Sequence, residues 1–286
     1  MITRDSQRGK MLKPTAQGRV GHFMLAGIAL LTLTLLLSVI IPLIVQGAPW
    51  LNLAFVFRRP QELGSGGVGP EIVNTVVMVG ITQFISLPLA LLNAIYRVEY
   101  DHGSQFARWF DPGLQILLSL PTMIIGLIVV DVAIAHWHWP VSVGSGIVAL
   151  SIINWPFSIA LMVQVLRQIP DSWREASWAL GASRWQTIIR LILPVAGADI
   201  IEQTGVAVAR LMGETAALIY TAGLNVGKKF SLTAPGETLA VHLWYVRTEG
   251  LTAHADQEAA ATGLVLLILV LMVLWGSQKM AQWMKA

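Results

Sequence analysis

The stretch "RQIPDSWREASWALGASRWQTIIRLILPVAG", Arg167 to Gly197, decides how this chain is organised. Its middle is helix-prone. Asp171 and Ser172, after Pro170, are N-cap residue types, and Glu175 stands three positions after Ser172, the spacing of a capping box. Trp173, Ala176, Leu180 and Ile188 give the segment an apolar side. Gly181 either ends the helix or marks the close approach of another backbone. The sequence thus predicts a short amphipathic helix, a glycine turn and a second helix at a membrane face. A helix that merely rests on the lipid surface is the plainer alternative.

The sequence on either side is what makes a membrane face the setting. Of 286 residues, 55% are hydrophobic and only 12% charged, against roughly 25% charged in soluble domains. This composition predicts an all-α integral membrane protein. With no cysteine, neither a disulfide framework nor a Cys metal site is possible. Eleven Trp suit anchoring at the water–lipid interfaces. Six apolar stretches are long enough to span a bilayer: about 22–46, 71–96, 112–136, 141–166, 195–222 and 258–282. The first follows Arg4, Arg8, Lys10, Lys13 and Arg19 and is too long for a signal-peptide core, so it reads as an uncleaved span. Residues 1–21 are then an N-terminal tail, and 22–286 the transmembrane domain.

Six crossings put both termini on one side. With that side inside, the inner segments hold thirteen Lys/Arg and the outer ones five, Arg58, Arg59, Lys228, Lys229 and Arg247. The positive-inside rule therefore predicts cytoplasmic termini in a multi-pass plasma-membrane protein. The nineteenth cation, Arg210, lies inside a span.

That span reads "VAVARLMGETAALIYTAG", Val206 to Gly223. A charge at the bilayer centre costs about 2.5–3.5 kcal/mol, and Arg210 and Glu214 put two there. At helical spacing Asp199, Gln203, Ala207, Arg210, Glu214, Ala217 and Thr221 share one stripe. Such a stripe lines a water-filled path or a helix seam. One reading is an i, i+4 ion pair that only holds helices together. The other is an anion pathway: Arg210 attracts an oxyanion, Glu214 holds Arg210 and keeps binding weak enough for release.

The first stretch also carries a family resemblance. Glu175-Ala176-Ser177, then Gly181, then Leu191-Ile192-Leu193-Pro194 keeps every spacing of the Glu-Ala-Ala, Gly, Ile-x-Leu-Pro pattern of ABC importer permeases. In that family the segment, here 167–194, is a coupling helix that docks on the ATPase subunit, which assigns Glu175, Ala176 and Gly181 to ATPase coupling. "ARLMGETAALIYTAG", "YRVEY" at Tyr96–Tyr100 and "SLPTMIIG" at Ser119–Gly126 resemble phosphate-specific permeases of the PstA type. The resemblance implies a type I importer permease fold, and a phosphate pathway at Arg210, Glu214, Gln203 and Thr221. It implies a second, PstC-like permease subunit, a PstB-like ATPase dimer and an extracytoplasmic phosphate-binding protein. ATP belongs to the ATPase; nothing here resembles a Walker A loop, and no cofactor, catalytic residue, metal or nucleic acid is expected on this chain. The sequence departs from the family at Ala160–Val163, where Arg-Thr-Thr-Glu is usual, at Ala217 and at Ala240, each usually Pro. These departures leave sulfate, molybdate or a phosphonate as alternative cargo; a non-transporting scaffold is the remaining alternative.

Three minor features remain. His136 and His138 in "HWHWP" have metal-ligand spacing without a third ligand and fit an interfacial anchor better. Asn74, Gln83, Asn154 and Gln164 are expected to hydrogen-bond between helices. Pro88, Pro121 and Pro156 are expected to bend them.

Overall fold

The computed structural model describes residues 16–60, 66–101, 103–224, 230–250 and 253–285. Among them there is no strand. Twelve helices follow in order: α1 Ala16–Gly47, α2 Leu53–Phe57, α3 Gly69–Ile95, α4 Gln105–Ser119, α5 Thr122–Val129, α6 Val143–Arg167, α7 Asp171–Ala179, α8 Arg184–Thr187, α9 Leu193–Met212, α10 Ala216–Thr221, α11 Leu239–Glu249 and α12 Ala255–Lys285. Wider i→i+5 turns extend α3 over Tyr96–Tyr100 and α5 over Val130–His136, and join α8 to α9 over Ile188–Ile192.

Five runs are long and apolar enough to cross a membrane: Phe23–Trp50, Gly69–Tyr100, Val143–Arg167, Arg184–Met212 and Ala255–Lys285. The stretch expected as a single span at 112–136 is broken. Arg108–Ser119 and Thr122–Ala133 meet at 96°. Pro121 is the cause: its ring disfavours helix at Leu120, and its own ψ of 129° is extended. Counting this bent pair as one span gives six.

The span expected at 195–222 is displaced. It begins at Arg184 and stops at Met212, and α10 is a separate turn and a half. Gly213 ends α9 because its N–H bonds Arg210 O, three residues back, and the Glu214 N–H bonds Leu211 O likewise. Glycine has little to lose by leaving the helix, and Thr215 follows with φ −125°.

The bundle centre is α3 against α6. Met78, Leu150, Ile159, Met162 and Leu166 are fully buried there. Asn154 donates to Gln83 Oε1 at 2.9 Å across this seam, as expected, and Asn74 donates to Glu237 O at 3.0 Å. Gln164 is exposed instead. Small residues set the close crossings. A Cβ on Gly126 of α5 would lie 2.8 Å from Ala217 Cα of α10, and one on Gly205 of α9 would lie 2.5 Å from Ser277 Cβ of α12. α1 stands outside this core along α12, with its apolar side chains exposed from Phe23 onward.

Candidate functional site

Arg210 occupies the last turn of α9 and is exposed on the surface of the chain. Its guanidinium lies over the Phe157 ring at 4.4 Å from the centroid. Phe157 sits near the middle of α6, which places the cation near mid-membrane. At an exposed site such stacking contributes about 0.5–1 kcal/mol, enough for the ring to bias where the guanidinium sits.

Glu214 does not do this. The helix break separates it from α9, and among the described residues no carboxylate lies within 4.0 Å of Arg210. The i, i+4 ion pair and the holding role for Glu214 both fail here for one reason: the continuous helix they require ends at Met212. The seven-residue stripe is split in the same way. Gln203 is half-buried on α9 and Glu214 half-buried in the break. Asp199 is taken by Lys285 at 2.6 Å. Thr221 is fully buried, its hydroxyl donating to Ala217 O at 2.9 Å.

At the other end of α3 the coupling segment forms a helix, a turn and a helix. Pro170, with ψ 140°, is the N-cap of α7, and no side chain caps it. The capping box expected at Ser172 and Glu175 is absent because α7 already begins at Asp171. It forms instead at α8, where Ser183 Oγ accepts from Gln186 N at 3.2 Å and Gln186 Oε1 accepts from Ser183 N at 2.8 Å. Gly181 has φ +86° and no neighbour within 4 Å of where a Cβ would stand. It therefore serves the turn, not a close approach within this chain. Glu175 and Ala176 are exposed, with Trp173, Trp178 and Trp185. Leu180 at the turn is 90% exposed. Ile188, expected on this apolar side, is instead buried in the bundle.

One inward-facing residue fastens the segment. Arg174 is buried, and its Nε and Nη2 donate to the Glu99 carboxylate at 2.8–3.1 Å. Nη1 donates to Ile169 O at 2.7 Å, and Nη2 also reaches Leu166 O at 3.1 Å, satisfying carbonyls at the end of α6. Beside it, Arg97 bonds Asp101 at 3.2 Å and Asp111, and lies 5.6 Å from the centre of the Phe110 ring. The Asp101 carboxyl is held below its usual pKa by the Ser104 backbone N–H above all, with the Gly103 N–H and Arg97 adding to it. α7 is thus tied to the end of α3 through Glu99 and to α8 through Ser177 Oγ and Thr187 Oγ1 at 2.9 Å. Reading the sequence singled out "YRVEY" but not the partner of Glu99; the only signal was an arginine one turn into an amphipathic helix.

The family described as "Binding-protein-dependent transport system inner membrane component" matches residues 86–280, from late α3 through most of α12. The chain belongs to this family. A probable ABC transporter permease, YqgI of Bacillus subtilis, is 30% identical over 80% of this chain and 83% of its own length. The phosphate transport system permease PstA of Haemophilus influenzae is 30% identical over 81% and 82%, and PstA of Yersinia pestis 27% over 94% and 91%. Among solved structures, a bacterial alginate ABC transporter in complex with a periplasmic protein aligns at TM-score 0.70 and 15% identity over 93% of this chain. The MetNI methionine ABC transporter, in inward-facing form, aligns at 0.59 and 18% over 75%. At these identities the likeness is one of fold.

Proposed function

We infer that this permease subunit serves an ABC importer for inorganic phosphate, with Arg210 as the group that meets the anion. The observation that carries this reading is the Arg210 guanidinium itself, stacked on Phe157 and exposed, with no carboxylate among the described residues within 4.0 Å. A cation there is tolerable only against water or a second protein surface. Both follow if a second, PstC-like permease subunit covers this face and the pathway runs between the two. The planar guanidinium offers an oxyanion two parallel hydrogen bonds. Glu214 and Gln203 flank the approach from the break and from α9; Glu214 would keep the anion's residence short.

Support for phosphate comes from relatives at 27–30% identity that bear the name of phosphate transport permeases. In this reading ATP is bound and hydrolysed by a separate PstB-like dimer. Its groove takes the exposed face of α7 around Glu175 and Ala176, with Leu180 and Gly181 at the turn. An extracytoplasmic phosphate-binding protein delivers the anion at the opposite face. The thirteen-to-five distribution of Lys/Arg supports a cytoplasmic location for α7 and both termini.

The test is uptake of radiolabelled phosphate by the assembled importer in vesicles, with competing anions added outside. Unlabelled phosphate should suppress uptake, while sulfate, molybdate and a phosphonate at the same concentration should not. Absence of phosphate uptake, with radiolabelled sulfate or molybdate taken up by the same vesicles, would reassign the cargo.

A further inference from the structure

The end of α3 opposite Glu99 holds a second charged cluster that no part of the transport reading uses. Glu71 lies in the first turn of α3, Glu237 in the loop before α11, His242 in α11 and Glu258 in the first turn of α12. All four are buried. Glu237 Oε1 lies 2.8 Å from His242 Nδ1, and Glu71 Oε1 lies 4.0 Å from the same nitrogen. One donor atom from each of Glu71, Glu237 and His242 falls within 4.8 Å of the others.

The charges here do not balance. Three carboxylates face one imidazole, and among the described residues no Lys or Arg nitrogen is within ion-pair distance of any of them.

Nor are the hydrogen bonds complete. Glu71 is 0% exposed, and neither of its carboxylate oxygens has a protein hydrogen-bond partner. Glu237 Oε2, His242 Nε2 and Glu258 Oε2 are in the same position. Buried polar atoms of native proteins are nearly always satisfied. Four such carboxylate oxygens in one place, two of them on Glu71, call for a ligand that accepts lone pairs.

The frame around them is rigid. Asn74 donates to Glu237 O at 3.0 Å, and Thr75 Oγ1 donates to Glu71 O at 2.7 Å while accepting from Leu239 N at 2.9 Å. Thr238 caps α11. A Cβ on Gly236 would stand 2.6 Å from Val143 Cγ2 and 2.9 Å from Asn74 Nδ2, so the loop is pressed against α3 and α6. Glu237 is thereby fixed beside Glu71, far away in sequence, as metal ligands must be.

We propose that Glu71, Glu237 and His242, with Glu258 alongside, form a binding site for a divalent first-row transition metal, zinc or manganese. Carboxylate oxygens with a single imidazole nitrogen suit those ions and not soft Cu(I), which prefers sulfur. A bound ion would tie α3, α11 and α12 together at this end, bracing the end of the bundle opposite the α7 segment. His136 and His138, exposed in the turn after α5, are not part of it.

The experiment uses the full-length chain purified with the subunits it assembles with, stripped by a chelator and dialysed against radioactive Zn2+, then in parallel against Mn2+ followed by electron paramagnetic resonance. About one ion per permease chain is expected. Glu71→Gln, Glu237→Gln and His242→Gln should each weaken binding at least tenfold, while His136→Gln/His138→Gln should leave it unchanged. X-ray absorption on the zinc-loaded protein should show only oxygen and nitrogen neighbours. Absence of stoichiometric Zn2+ and Mn2+ at 0.1 mM in the wild-type complex, which needs no variant to fold, overturns the proposal and leaves the cluster neutralised by protons alone. Binding that survives all three cluster substitutions, or that follows the exposed histidines, overturns it equally.

Discussion

Glu99→Gln keeps the shape of the side chain and removes the charge that Arg174 grips. The guanidinium loses the charge and one oxygen of a partner that accepts from Nε and Nη2 at 2.8–3.1 Å, and retains one neutral amide oxygen, the Leu166 and Ile169 carbonyls and the exposed Asp171. Both members of the pair are more than nine-tenths buried, so water does not replace what is lost. Breaking a buried pair by removing one partner costs about 3–5 kcal/mol; with the two carbonyls still bonded, the lower end, about 3 kcal/mol, applies. Arg174→Met strips those carbonyls as well and leaves Glu99 alone, so about 5 kcal/mol is expected. Removing both charges leaves no uncompensated ion. The double variant should therefore cost about 2 kcal/mol less than the sum of the singles. Thermal unfolding of the assembled complex in lipid nanodiscs measures this as a difference in Tm. ATP hydrolysis and transport, measured on the same samples, should diverge in the single variants, because an α7 detached from α3 transmits less of the ATPase motion. Additive singles, with a coupling energy under about 0.5 kcal/mol, would show that the pair does not fasten α7.

Gly126→Ala places a Cβ 2.8 Å from the Ala217 backbone; α5 and α10 must separate, and assembled protein should fall by an amount equivalent to about 1–3 kcal/mol, read as complex yield. Gly181→Ala meets no clash but must hold φ +86°, so it should cost about 1 kcal/mol with transport largely kept, whereas Gly181→Asp should leave insertion intact and impair coupling to the ATPase. Ser183→Cys in this cysteine-free chain should be labelled by an impermeant thiol reagent only from the cytoplasmic side; labelling in intact cells would invert the orientation.

Much of this was legible in the sequence, and the failures share a cause. Spans at 22–46, 71–96, 141–166 and 258–282 rest on length and apolarity, which the bilayer itself dictates, and each was found within a few residues. The spans at 112–136 and 195–222 have the same composition, but backbone punctuation overrides it: Pro121 turns one by 96°, and Gly213 divides the other. Projecting Arg210 and Glu214 onto one continuous helix produced an ion pair that the break at Gly213 removes. At the coupling segment the order of helix, glycine turn and helix is local chemistry and was readable; the capping box was placed one helix too early because Pro170 starts α7 at Asp171. The Glu99–Arg174 pair joins residues 75 positions apart, and Glu71 meets Glu237 and His242 from far away in the chain, so no local pattern announces either.

The central claim is that Arg210 meets the transported anion and is positioned by Phe157 rather than by Glu214. The most direct measurement is phosphate uptake by Arg210→Ala and Arg210→Lys, scored separately from complex yield. Arg210→Ala should assemble normally, since it leaves no buried carboxylate unpaired, and lose nearly all uptake; Arg210→Lys should keep the charge and recover only part of it. Uptake near the wild-type rate in a well-assembled Arg210→Ala complex would contradict the account, and so would a complex that fails to assemble until Glu214 is also replaced.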